Sequence, residues 1–251
     1  KSSTLKAGTY ILSRNMDIAQ MVDIICTGNP ARKTVNVKIR EGMEVEDIAE
    51  LLVEEGILDS TEEFLSLCRS GEAFSEYSFV NSILQSADKD QRKYALEGYL
   101  FPDTYEVYAD ASAKSVITKM LIRFNEIFSD EYMDRAQELN MTVDQAVTMA
   151  SMIEREAKTA DFDKVSAVFH NRLNSGMKLQ SDAPLKYILD AGNTLDYTSD
   201  QMAVNSPYNT YNIDGLPIGP ICNPSAAAIK AALYPDSDFM GEGYLKFVLK
   251  S

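Results

Sequence analysis

The chain has no tryptophan, one histidine and three cysteines among its 251 residues. A single histidine, His170, argues against a Ser-His-Asp triad and against a His-rich zinc site. Cys26, Cys68 and Cys222 are odd in number and far apart, which fits neither a metal-ligand pattern nor a disulfide framework. Cys26 and Cys68 fall in apolar helical patterns and are expected to be buried free thiols. Positive charge is scarce as well: 24 Lys and Arg face 38 Asp and Glu, a net charge of −14. Such a surface repels phosphate backbones, so nucleic acid is a poor partner. No apolar run reaches the roughly 18 residues of a membrane span.

What is present is an ordinary globular balance, 45% hydrophobic and 25% charged. The length suits one large domain or two smaller ones. Ile18, Met21, Val22 and Ile25 share a helical face, and Gly28 suits the position just past its end. Val35, Val37 and Ile39 alternate with polar residues, as a strand does. Glu41 and Gly42 turn the chain. Ile48, Leu51 and Leu52 mark a second helix that stops at Gly56. Ser60 and Glu63 form a capping-box pattern for a third, through Phe64, Leu67 and Cys68. These residues make a compact α+β module, expected over 1–75. Residues Gly71–Lys93 are polar and aperiodic, and the boundary is placed there.

The second unit, expected over 76–251, is mixed but mainly helical, with a loop-rich cleft and short strands. Its aromatic-rich start, LEGYLFPDTYEV from Leu96, is kept from being a helix by Pro102. Val116 to Phe128 form a clean helical stripe, and a shorter helix covers about Asp130–Leu139. Thr142 with Gln145 is a capping box for the helix that carries VTMASMIEREAK, Val147–Lys158. Asp161 and Asp163 read as caps of the next helix, which Gly176 ends. His170 on that helix reads as structural. The loops QSDAP, SPYNTY and GLPIGPICNP follow, then a helix over Ser225–Leu233 and a strand over Tyr244–Leu249.

The run VTMASMIEREAK stays small and apolar until it delivers Glu154 and Glu156. A carboxyl on the core side of a helix loses water and its pKa rises. A carboxylic acid that stays protonated near neutral pH can protonate a poor leaving group such as a glycosidic oxygen. Residues two apart on a helix are rotated by roughly 200°, so the two acids cannot form a dyad on one face. Glu156 shares its side with Met149, Met152 and Ile153, the more apolar set, and is preferred as the acid. Glu154 shares its side with Val147, Ala150 and Ser151, small enough for close packing. The acid that is not catalytic is expected to make a salt bridge, with Arg155, Lys158 or Arg172.

Amides, hydroxyls and rings crowd the later loops: Gln180, Ser181 and Asp182, then Tyr208, Asn209 and Tyr211. That mixture suits a sugar, though the same residue types are common in turns.

Taken together, LEGYLFPDTYEV, ASMIEREA, VFHNRLNSGMKLQSDAPLKY, SPYNTYNIDGLPIGPICNPS and YLKFV resemble the YceG-like endolytic murein transglycosylases, also called MltG, over nearly the whole chain. The resemblance implies a LysM-like first module and a catalytic domain. It implies Glu156 as the catalytic acid, in the second position of the I-E-x-E pattern. Gln180, Asp182, Asn209 and Tyr211 match motifs expected to line a glycan cleft. Glu97 and Tyr99 fall in another motif expected near it. Glu154 is either a structural charge or a partner that tunes the acid. The substrate implied is the peptidoglycan glycan strand, cut to 1,6-anhydro ends without water and without a cofactor. Cell-wall synthases or division proteins are candidate partners. The chain begins at Lys1 and is expected to be the extracytoplasmic part of a bitopic protein, with the family's membrane anchor ahead of it. Two departures stand out. Ala183 separates Asp182 from Pro184, and Lys246 replaces a common aromatic. A hydrolytic muramidase using Asp182, Asp103 or Glu97 as second carboxylate, and a non-catalytic wall binder, are the alternatives.

Overall fold

The computed structural model describes residues 5–8, 10, 12, 18–27, 33–189 and 197–247. Among these residues it is mainly helical with one small sheet. In chain order the elements are α1 (Ile18–Thr27), β1 (Thr34–Lys38), α2 (Val45–Glu54), α3 (Glu62–Ser70), α4 (Ser78–Leu84), β2 (Thr104–Tyr108), α5 (Ala113–Ile127), α6 (Asp130–Glu138), α7 (Val143–Glu156), α8 (Phe162–Asn174), α9 (Ala183–Leu189), α10 (Ser199–Met202), α11 (Ala226–Leu233) and α12 (Ser237–Glu242).

The two strands pair antiparallel, Val35 opposite Val107 and Val37 opposite Tyr105. Val37, Tyr105 and Val107 turn inward and are buried. The sheet thus joins segments on the two sides of residue 75. Buried residues from both sides also belong to one continuous apolar core. Residues Gly71–Lys93 are not aperiodic: α4 lies there and buries Phe79, Val80 and Ile83. Phe79 stacks on Tyr99 at 5.2 Å, and Phe124 meets both rings edge-on.

At the centre lies α7. The capping box at its start forms, with Thr142 N–H donating to Gln145 Oε1 at 2.9 Å and Gln145 N–H to Thr142 Oγ1 at 3.1 Å. Eight consecutive residues, Ala146 to Ile153, are buried, so water touches this helix only near its ends. Its small-residue side admits α11, itself largely alanine and its most extensive helix partner. Ser151 Oγ donates to Thr148 O and accepts from Ile221 N–H, which pins the loop before α11 to the same side.

Several local expectations are corrected. Ser60 and Glu63 make no capping box; Thr61 occupies the N-cap of α3 and its side chain bonds nothing there. QSDAP is not all loop, since α9 begins at Ala183 with Pro184 in its first turn, where proline's missing N–H costs nothing. Tyr244–Phe247 form no strand, and 248–249 lie outside the described residues, as does Gly28. Cys68 and Cys222 are buried free thiols, whereas Cys26 is only half-buried. Asp161 holds the N-cap position of α8 without a side-chain cap bond. His170 is structural, its Nε2 lying 2.8 Å from Ala232 O in the core.

Candidate active site

Glu156 closes α7, where the helix leaves the core, and is half-buried. Burial is the largest influence on its carboxyl and raises the pKa above the ordinary carboxylate value; the nearby charge of Asp182 raises it further. Ser181 Oγ donates a hydrogen bond to Glu156 Oε1 and works in the opposite direction. Glu156, Gln180, Ser181 and Asp182 share a cavity of about 290 Å³. Val168, Phe169 and Leu179 line it with apolar side chains, and Leu245, Lys246 and Phe247 complete the lining.

The turn that carries Gln180 to Asp182 is clamped to the loop around Tyr208–Tyr211. Gln180 N–H donates to Thr210 O at 3.1 Å, Ser181 N–H to Thr210 Oγ1 at 3.0 Å, and Thr210 Oγ1 returns a bond to Ser181 O at 3.0 Å. Tyr211 OH donates to Asp182 Oδ1 at 2.7 Å. Burial first, and then this carboxylate, push the Tyr211 phenol up. Gln180, Asp182 and Tyr211 therefore join Glu156 at one place.

Asn209 does not present its amide there. It is fully buried, with Nδ2 donating to Met202 O at 2.9 Å and Val204 O at 2.8 Å, and Oδ1 accepting from Tyr211 N–H at 3.1 Å. Its amide shapes the loop that carries Tyr211. Tyr99 is buried in the aromatic core and donates its hydroxyl to Asp144 at 2.8 Å. Glu154 faces the other way from Glu156, as the helix geometry requires. It makes no salt bridge with Arg155, Lys158 or Arg172; it accepts from Ser225 instead. Arg155 reaches Glu44 at 3.5 Å and Gly42 O at 3.0 Å.

Glu97 is 1% exposed and sits in a junction. It accepts from Val45 N–H at the start of α2, from Asn223 Nδ2 at 3.0 Å and from Tyr187 OH on α9 at 3.1 Å. Despite three donors, burial wins and lifts its pKa to about 8, helped by the charge of Glu44. Glu44, half-buried, is itself raised to about 7, chiefly by burial. Gly98, next in the chain, has φ +90°, and a Cβ there would lie 2.5 Å from Pro220 and 2.9 Å from Val147. This close approach wedges the Glu97 loop between α7 and the Pro220 segment.

Ser181 is one of the polar loop residues suited to a sugar, but no motif points to its bond with Glu156. Thr210, inside SPYNTY, and Tyr197 also stand at this place. The Tyr197 hydroxyl is buried without a hydrogen-bond partner, in the field of Asp182 and Glu156. Nothing in the spacing of Tyr197 marks it.

The profile of the YceG-like family matches residues 1–251. The chain is 31% identical, over its full length and 68% of the relative's, to the endolytic murein transglycosylase of Bacillus subtilis strain 168. It is also 31% identical to the endolytic murein transglycosylase of Streptococcus pneumoniae D39, covering 91% of this chain but 44% of that one. A crystal structure of a yceG-like protein from Listeria monocytogenes superposes with a TM-score of 0.72 at 33% identity, over 98% of this chain and 80% of that one. Matched from one end to the other in sequence and in fold, the chain belongs to the YceG-like family.

Proposed function

We propose that this protein is a lytic transglycosylase of peptidoglycan, with Glu156 as its single catalytic acid. The observation that carries the reading is the setting of Glu156: a half-buried carboxyl with a raised pKa, opening on a cavity with apolar and polar walls. The names of the Bacillus and Streptococcus relatives support murein as the substrate.

In this reading the protonated Glu156 gives its proton to the glycosidic oxygen between N-acetylmuramic acid and N-acetylglucosamine. The resulting carboxylate then takes the proton of the muramic C6 hydroxyl as that oxygen closes on C1. The glycosidic C–O bond breaks, a 1,6-anhydro ring forms, and no water enters the product. The intramolecular attack gains its rate from proximity, so the enzyme needs no nucleophile. Two-carboxylate hydrolysis is the second reading, and the placement of Asp182 beside Glu156 is what favours it. Asp103 pairs with Arg123 at 2.8 Å and Glu97 is committed to its junction, so Asp182 is the better second carboxylate.

The first 75 residues are read as a LysM-like module that holds or orients the strand. Murein lies outside the cytoplasmic membrane, so the enzyme acts there. Mass spectrometry of digested glycan strands tests the chemistry. Anhydro-muramic ends, one water lighter than hydrolytic ends, are expected from wild type and none from Glu156→Gln. Reducing muramic ends would make the protein a muramidase, and binding without fragments a wall-binding protein.

A further inference from the structure

Beside Glu156, Arg172 is a cation that no step of the chemistry uses. It is 7% exposed, on α8, and its guanidinium bonds go to Leu245 and Gln180, which line the cavity, and to the backbone of Lys178. Nε and Nη2 donate to Lys178 O at 2.9 and 2.6 Å, Nη1 to Leu245 O at 2.9 Å, and Nη2 to Gln180 Oε1 at 2.5 Å. A guanidinium has donors only, so it must meet the oxygen of the Gln180 amide and never the nitrogen. The exposed Gln180 amide thereby turns its NH₂ away from Arg172. Its backbone is held at φ +49°, a left-handed conformation that costs a non-glycine residue about 1 kcal/mol. A non-glycine residue held at such a backbone conformation is a reason to ask what its side chain does.

Resting on the transglycosylase reading, we infer that Arg172 is a positioning residue that makes Gln180 an obligate hydrogen-bond donor to the acetamido carbonyl of a sugar seated beside Glu156. The cavity supplies the rest of that recognition. Phe169 and Leu179 offer an apolar surface to the acetyl methyl, and Asp182 lies at the same cavity as an acceptor for the amide N–H. A carboxylate at 180 would bond Arg172 equally well yet offer no donor. The inference concerns which sugar substituent the site selects, and it leaves the proton transfers to Glu156.

The test compares cleavage of purified glycan strands that keep their acetamido groups with strands enzymatically stripped to free amines. Wild type is expected to prefer the acetylated strands. Gln180→Ala and Gln180→Glu should slow on acetylated strands by about three- to tenfold, the worth of one hydrogen bond, and lose most of the preference. Gln180→Gly is the control for folding: relief of the backbone strain offsets part of the lost bond to Arg172, so its unfolding temperature should stay near wild type while the preference is still lost. Arg172→Lys, which gives up the fork, should shrink the preference and raise KM more than it lowers kcat. Undiminished preference in Gln180→Gly overturns the inference. Wild type that cleaves neither strand overturns the transglycosylase reading beneath it.

Discussion

One oxygen of Glu154 accepts from both the backbone N–H of Ser225, at 2.9 Å, and its hydroxyl, at 2.5 Å. Ser225 is also the N-cap of α11, its Oγ accepting from Ala228 N–H at 3.1 Å. The carboxylate therefore lies at the positive end of α11, where a negative charge is stabilising. Glu154→Gln keeps an acceptor there but loses the charge, and should lower stability by about 1 kcal/mol while cleavage persists. Glu156→Gln should leave the thermal midpoint near wild type and abolish cleavage. Calorimetry beside a fragment assay separates the two, and an active Glu156→Gln with a dead Glu154→Gln would reverse their roles.

The neighbours of Glu156 act on it with opposite signs. The Ser181 hydroxyl favours the carboxylate, and the Asp182 charge opposes it. In the proposed reaction Glu156 must hold its proton to work, so the alkaline limb of the pH–rate profile should follow its pKa. Ser181→Ala should move that limb to higher pH and Asp182→Asn to lower pH. Movement in the same direction would show that the limb belongs to another group.

Stability should fall as pH rises. Glu97 and Glu44 are raised from 4.5 to about 8 and about 7 in the folded chain, so folding takes up protons. Their contribution is whole below pH 4.5 and is lost as pH climbs through 7 to 8. Glu97→Gln mimics the protonated form and should flatten the decline of unfolding temperature across that window. A slope as steep as wild type would remove Glu97 as its source.

Two glycines with positive φ should respond differently. At Gly98 an added methyl meets Pro220 and Val147 far inside contact distance, whereas at Gly56 nothing lies within 4 Å. Gly98→Ala should cost about 3 kcal/mol or more and reduce soluble yield, through overpacking and backbone strain together. Gly56→Ala should cost about 1 kcal/mol, from the backbone alone. Chemical denaturation of both variants measures the difference.

Legibility in the sequence followed the reach of each interaction. The helix α7 announced itself because its cap, its apolar period and its acids all lie within one short stretch. The opposed facing of Glu154 and Glu156 followed from helix geometry alone. The helix α9 was hidden because Ser, Asp and Pro serve a turn and a first helical turn equally well. The helix α4 was hidden by brevity. Burial of Glu97 left no local mark, since its donors come from Val45, Tyr187 and Asn223. Asn209 was selected for an exposed amide because a sequence cannot show that the loop's own carbonyls reach it first.

Thr210 and Ser181 are 29 residues apart and exchange two hydrogen bonds through one hydroxyl. Ser181 in turn holds Glu156, and Asp182 is held by Tyr211, next to Thr210. A sugar that presses on the Tyr211 loop would therefore pull on both groups that set the acid's proton affinity. In the proposed reaction, how tightly the strand is seated and how readily Glu156 gives up its proton would then be linked, and a mutation in either loop should shift both together.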